Sequence, residues 1–176
     1  MNLYRFNFLF ILKCVVLLIR IKEKGEKGMK KISYIEGFEK WEQDFSFYIP
    51  TKVRFCETDM FGHMNNGVAF TYFEEARIEF FKELGFMQEW THEASETMIV
   101  VADLQCNFLK QIFFDEHLKV YIKAETVGNS SLDLHYMVKN EAGEVCLVGR
   151  GAMVQASKKT GKGMPWPQEW KQKLLQ

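Results

Sequence analysis

The stretch Arg54-Phe55-Cys56-Glu57-Thr58-Asp59-Met60-Phe61-Gly62-His63-Met64-Asn65-Asn66 gathers two acids, a thiol, an imidazole and two carboxamides into thirteen residues. It ends an extended apolar strand in a tight polar turn and opens directly onto a long amphipathic helix. A carboxylate such as Asp59 beside a helix N-terminus sets a base next to backbone N–H groups that have no partner inside the helix. That pairing suits acyl transfer, in which charge develops on a carbonyl oxygen while a base drives the attack. The competing role for Asp59 is structural, because an aspartate in a Thr-Asp-x-x-Gly context bonds its own backbone to make a turn. Cys56 has no activating histidine near it in sequence and reads as a small buried residue rather than a nucleophile. His63 is placed to orient the base or to contact substrate, and it is assigned no proton transfer. The four histidines, His63, His92, His117 and His135, lack the i, i+4 spacing of a zinc helix, so no metal site is expected.

The elements that must hold this turn follow from periodicity. Phe45, Phe47 and Ile49 alternate with polar residues, Pro50 interrupts, and Val53 to Phe55 resume, as in a strand with a bulge or an exposed edge. Asn66 is a suitable N-cap and Gly85 a suitable C′ residue. Between them Ala69, Phe73, Ala76, Phe80 and Leu84 recur at helical spacing, opposite Glu75, Glu79, Lys82 and Glu83. Glu74 and Arg77 read as an i, i+3 ion pair. After a polar loop around Thr91 to Glu96, one long strand is expected over Met98 to Gln111. Leu118, Val120, Ile122 and Ala124 then alternate, as do Leu132, Leu134, Tyr136 and Val138, and a last strand runs from Val145 to Gln155. Gly128-Asn129 and Asn140 to Gly143 separate them as hairpin turns. One apolar helix stripe needs one apolar sheet face, so an α+β fold follows: a curved antiparallel sheet of about five strands wrapped around one long central helix.

Composition bounds the rest. A chain of 176 residues with 47% hydrophobic and 15% aromatic residues suits one compact domain. A formal net charge of zero gives no basic field for nucleic acid. Cys14, Cys56, Cys106 and Cys146 form no C-x-x-C pair, which fits a reduced, cytoplasmic protein. Phe8 to Ile21 is apolar but interrupted by Lys13 and Arg20, too short a run for the roughly 20 residues of a membrane span. Residues 1–28 are expected to be a translated leader or non-core extension, with Met29 as the true start and 29–176 as the single domain. A peripheral membrane anchor is the alternative for the same stretch. Without those residues the chain loses six Lys/Arg and two Asp/Glu from 23 of each, and its formal charge becomes −4.

The turn motif, followed by Tyr72-Phe73-Glu74-Glu75-Ala76-Arg77, resembles the signature of hotdog-fold acyl-CoA thioesterases of the 4-hydroxybenzoyl-CoA thioesterase-like branch. The likeness extends from about Phe45 to Trp170 and includes Phe108-Leu109-Lys110, Gly128-Asn129-Ser130-Ser131 and the segment from Thr160 to Pro167. The resemblance implies the hotdog fold and a homodimer, often paired into a tetramer, with the active site at the dimer interface, no metal and no cofactor. It makes Asp59 the catalytic aspartate, acting either as nucleophile on the thioester carbonyl or as general base for water. The backbone N–H groups of Asn66 and Gly67 become the donors to the thioester oxygen, and His63 and Asn65 contact substrate. Ser130 and Ser131 would approach from a neighbouring subunit, and Lys110 would meet a coenzyme A phosphate.

The chain departs from that pattern at Ala69, where the family often has tyrosine, and at Gln111, where it often has proline. A smaller residue at 69 would open the acyl pocket or move its wall. The helix-region phenylalanines Phe70, Phe73, Phe80, Phe81 and Phe86 suit core and dimer contact better than an acyl channel. The activity implied is hydrolysis of an acyl-CoA thioester to free acid and coenzyme A. Acyl carrier protein thioesters are the near alternative, and a non-catalytic acyl-CoA binding or sensing module is the alternative from another class.

Overall fold

The computed structural model describes residues 32–175. The expected leader over 1–28 lies outside the described residues. Ile32–Ile35 make a turn in which the Ile35 N–H donates to the Ile32 carbonyl at 3.1 Å, and a compact unit begins at Glu36. In chain order that unit contains α1 (Phe38–Gln43), β1 (Phe47–Lys52), a 3₁₀ turn (Phe55–Glu57), α2 (Val68–Glu83), α3 (Phe86–Thr91), β2 (Thr97–Val101) and β3 (Gln105–Phe108). It continues with β4 (His117–Val127), β5 (Ser131–Asn140), β6 (Val145–Ser157) and α4 (Gln168–Leu174). All strands pair antiparallel in the order β1-β4-β5-β6-β2, with β3 also on β6.

Alternation builds the inner face. Val120 and Ile122 of β4 stand opposite Val138 and Tyr136 of β5, and Val138, Tyr136 and Leu132 in turn register with Leu147, Gly149 and Met153 of β6. All of the large residues in that set are buried, and so are Ala69, Tyr72, Phe73, Ala76 and Phe81 of α2. Phe73 of the helix stacks on Tyr136 with ring centroids 4.5 Å apart. The β6 residue beneath it must be glycine: a Cβ at Gly149 would stand 2.7 Å from Phe73 Cζ and 2.8 Å from the Gln105 carbonyl. The stripe is wider than the five residues expected, and of the helix-region phenylalanines Phe73, Phe81 and Phe86 are buried while Phe70 and Phe80 pack against the core.

Three expectations change. The single strand over Met98 to Gln111 is interrupted, because four steps from Val101 to Gln105 face only three from Met153 to Arg150. The extra residue makes a bulge in which the Ala102 and Asp103 N–H groups both donate to the Ala152 carbonyl, while Asp103 Oδ1 accepts the Ala152 N–H. Thus β2 and β3 together form one edge of the expected five-strand sheet. At the other edge Pro50 sits inside β1, tolerated because β1 has a neighbour on one side only. The strand does not resume through Phe55: after Val53, whose N–H donates to the Glu116 carbonyl, the chain turns into the 3₁₀ segment.

Arg77 is not paired with Glu74. It lies on the buried stripe, 8% exposed, with Nη1 3.5 Å from the Tyr136 hydroxyl. Short helices α1, α3 and α4, for which the sequence reading gave no expectation, complete the unit, and Phe86 of α3 stacks on Trp170 of α4 at 4.1 Å. Gly85, expected at C′, takes φ +80 and ends α2.

Candidate active site

The signature segment folds into a small hairpin. Thr58 pairs with Met64, the Asp59 N–H donates to the His63 carbonyl at 2.8 Å, and Gly62 turns the chain with φ +79. A left-handed φ is open to glycine without steric cost, which explains its place in the motif. A second line of pairing fixes the hairpin to the sheet: His63 bridges Phe113, and the Met64 N–H donates to the Ile112 carbonyl at 2.8 Å. The His63 ring meets the Phe113 ring edge-on, centroids 5.0 Å apart.

Asp59 is half-buried, and its Oδ1 accepts the backbone N–H groups of Phe61 (2.8 Å) and His63 (3.2 Å). This is the turn-forming role weighed above, yet it occupies one oxygen only. Among the described residues no donor meets Oδ2, so the carboxylate can hold the turn and still present a second oxygen. Both tasks fit one side chain.

The helix start differs from the expectation. Asn66 is not the N-cap; α2 begins at Val68 with Gly67 as its N-cap, and Asn65 braces the turn that leads into it. Its Oδ1 accepts the Gly67 N–H at 3.0 Å and its carbonyl accepts the Val68 N–H at 3.0 Å. A side-chain oxygen two residues before the N-cap thereby satisfies the Gly67 donor and holds the approach to the helix as a turn. The consequence is chemical: the Gly67 N–H is already engaged, while the exposed Asn66 N–H has no acceptor among the described residues. Asn65 therefore serves the site as the brace of that turn.

A cavity of about 230 Å³ lies beside the hairpin, lined by His63, Met64, Phe108, Leu109, Lys110, Gln111, Ile112 and Leu147. It brings His63 and Lys110 together, although the Lys110 ammonium is ion-paired with the Glu144 carboxylate. That lysine and Asn140 hold the Glu144 carboxyl below the usual range. A phosphate at Lys110 would have to displace Glu144. Ser130 and Ser131 are not brought to the hairpin in this chain. They lie at the β4–β5 turn, whereas the hairpin adjoins the start of β4, and ten steps of strand span roughly 33 Å. The Ser131 carbonyl accepts from Gly128 N–H and Trp166 Nε1, and the Ser130 carbonyl accepts the Gln155 N–H.

Cys56 is exposed rather than buried. It occupies the middle of the 3₁₀ turn. A larger cavity, about 560 Å³, lies at the far end of α2 against Phe80, Leu84 and Leu174, away from the hairpin. Among the described residues no three His, Cys, Asp or Glu side chains gather closely enough to hold a metal ion.

Sequence reasoning passed over Glu57 and Tyr72. Tyr72 is fully buried and its hydroxyl donates to Glu57 Oε2 at 2.7 Å. Burial first, then Glu57, pushes the Tyr72 phenol well above its ordinary value, so it remains a donor. The signal was present: Tyr72 falls on the Ala69, Phe73, Ala76 stripe, and a buried hydroxyl needs a partner.

The sequence profile of the thioesterase-like superfamily matches residues 53–174. The chain belongs to that superfamily. It is 49% identical over 148 residues to the uncharacterized protein YsmA of Bacillus subtilis (strain 168), covering 84% of this chain and 98% of that protein. Among solved structures, a thioesterase of Thermus thermophilus complexed with coenzyme A and Zn is 28% identical. It covers 72% of this chain and 90% of its own with a TM-score of 0.61. A DHNA-CoA thioesterase from Staphylococcus aureus is also 28% identical, over 67% of this chain and 78% of its own, with a TM-score of 0.60. The sheet curled around α2 is the hotdog fold, and the chemistry of this thioesterase-like protein is thioester hydrolysis. Among the described residues no helix is long and apolar enough to cross a membrane.

Proposed function

We propose that this thioesterase-like protein hydrolyses acyl-CoA thioesters to free acid and coenzyme A, with Asp59 as the reacting group. The observation that carries the reading is the divided carboxylate: Oδ1 anchored by two backbone N–H groups, Oδ2 unclaimed, on a hairpin that runs straight into the N-terminus of α2. In the base route Asp59 takes a proton from water as the oxygen attacks the thioester carbon. In the nucleophile route Oδ2 attacks directly, and water then cleaves the mixed anhydride. Both pass through a tetrahedral oxyanion, and the Asn66 N–H is the donor left to receive it. One such donor is worth roughly 3 kcal/mol in the transition state. In the base route the C–S bond then breaks and the thiolate takes the proton that Asp59 removed from water. In the nucleophile route the C–S bond breaks as the anhydride forms, the thiolate takes a proton from solvent, and hydrolysis of the anhydride restores the Asp59 carboxylate.

The working form is a homodimer that can pair into a tetramer, with the substrate lying across the interface. Support comes from the exposed apolar side chains around the hairpin, Phe55, Met60, Phe61, Phe113 and Phe114. Large apolar side chains left exposed together on one segment and its neighbour favour coverage by another surface. Ser130 and Ser131, distant within one chain, would reach the site from a neighbouring copy. The free thiols of Cys56, Cys106 and Cys146 suit the cytoplasm. Residues 1–28 are proposed to be dispensable for activity.

A panel of acyl-CoA esters and acyl carrier protein thioesters, assayed for free thiol release, tests the reaction class and the carrier together. Release from one or more acyl-CoA esters, lowered at least about a hundredfold in Asp59→Asn, is expected. Tight acyl-CoA binding without release would identify a sensing module instead, and release from carrier protein thioesters alone would move the substrate to that class.

A further inference from the structure

Glu57 stands two residues before Asp59 and is the most heavily bonded side chain around the hairpin. Its Oε2 accepts the Arg54 backbone N–H at 2.8 Å and the Tyr72 hydroxyl at 2.7 Å, and its Oε1 faces Arg54 Nε at 3.1 Å. Its own carbonyl accepts the Asn65 N–H at 2.8 Å. One residue therefore ties together the end of β1, both ends of the hairpin and the second turn of α2. The carboxylate is only 11% exposed and Tyr72 is fully buried, so water is poorly placed to substitute for the bond between them. Arg54 extends the network to Glu75, 3.9 Å from Nη2, one turn farther along the helix.

The arrangement matters because the two parts of the proposed chemistry sit on different elements. Asp59 belongs to the hairpin, and the Asn66 N–H belongs to the approach to α2. Backbone pairing closes the hairpin on itself and on Ile112 and Phe113, but none of those bonds reaches the body of the helix. Among the described residues the Tyr72 hydroxyl is the side-chain donor on α2 that meets this segment.

We propose that Glu57 and Tyr72 are positioning residues: the hydroxyl-to-carboxylate bond locks the Asp59 hairpin against α2 and so sets the distance between the reacting carboxylate and the oxyanion donor. The inference rests on the assignment of Asp59 above. Its mode of action is geometric, since a misplacement of about 1 Å in a reacting group can cost about a hundredfold in rate.

The test is a kinetic cycle on the full chain with the best acyl-CoA ester of the panel. Tyr72→Phe removes one oxygen and should lower kcat by about 10- to 100-fold while KM stays within about twofold. Glu57→Gln, whose carbonyl still accepts the Tyr72 bond, should retain most of the rate, whereas Glu57→Ala should match Tyr72→Phe. In the Asp59→Asn background, Tyr72→Phe should cost less than about twofold, because nothing is left to position. A role in stability alone would lower the melting temperature and leave kcat intact, or cost the same factor in both backgrounds, and either result overturns the proposal. Should Tyr72→Phe fail to fold, Glu57→Gln against Glu57→Ala carries the same comparison. Full activity in Asp59→Asn would instead defeat the functional reading, a result distinct from any outcome for Tyr72.

Discussion

Replacing Asp59 by asparagine exchanges one carboxylate oxygen for an amide nitrogen and leaves the turn its acceptor. The carbonyl of the new side chain can take the Phe61 and His63 N–H groups as Oδ1 does now. What disappears is the negative charge and the unclaimed Oδ2. The two backbone bonds lose charge assistance at a half-exposed position, a cost of about 1 kcal/mol in all. For a unit of this size that lowers the melting temperature by about 2–4 °C. Loss of a general base typically lowers the rate by about 10²- to 10⁴-fold, equivalent to about 3–5.5 kcal/mol of barrier. Because the charge acts in the transition state, kcat should carry the loss and KM should change little. Thiol release under saturating acyl-CoA, alongside a thermal melt of the same preparation, separates the two effects. Turnover within about threefold of the wild-type chain would refute the assignment of Asp59. A melting loss beyond about 10 °C would show that the carboxylate holds the fold and not only the turn.

Other outcomes follow from the same structure. Gly149→Ala should lose about 1–3 kcal/mol, read as a lower denaturant midpoint, because the new Cβ meets Phe73 and a backbone carbonyl at once; an unchanged midpoint would mean that α2 moves away freely. Lys110→Ala should raise KM for acyl-CoA several-fold at constant kcat, and Glu144→Gln should lower it by releasing the ammonium; no shift in either removes Lys110 from substrate contact. His135 accepts the Trp41 Nε1 hydrogen bond at 2.8 Å, and burial holds its pKa below the ordinary 6.5, opposed by Glu125 and Asp133. The unfolded chain therefore binds the proton first, so stability is full above pH 6.5 and falls as pH drops from there toward the folded value. His135→Gln, which keeps an acceptor for Trp41, should flatten that slope in urea titrations from about pH 7 to 5, and an unaltered slope would place the titration elsewhere.

The elements with local causes were legible in the sequence. Alternation in β4, β5 and β6 buries one face, and Gly128-Asn129 and Asn140 to Gly143 make the hairpins because their residues suit tight turns. Gly85 ends α2 because it accepts a left-handed φ. The motif from Arg54 to Asn66 announced a carboxylate next to a helix start, and the resemblance it carries led to the right family. Other features depend on partners far away in the chain. The bulge between β2 and β3 exists only in register with β6, and Arg77 turns inward because Tyr136 offers it a hydroxyl across the core. Gly67 rather than Asn66 is the N-cap of α2, with Asn65 bracing the approach, because the hairpin, pinned to Ile112 and Phe113, fixes where the helix can begin. Periodicity says which face of a residue is buried, but not which polar group from another element will be waiting there. For that reason the sequence by itself determined β4, β5 and β6, the central helix and the presence of Asp59. Only the tertiary structure decided that one of its oxygens is occupied, that Lys110 faces Glu144, and that Glu57 and Tyr72 join the hairpin to the helix.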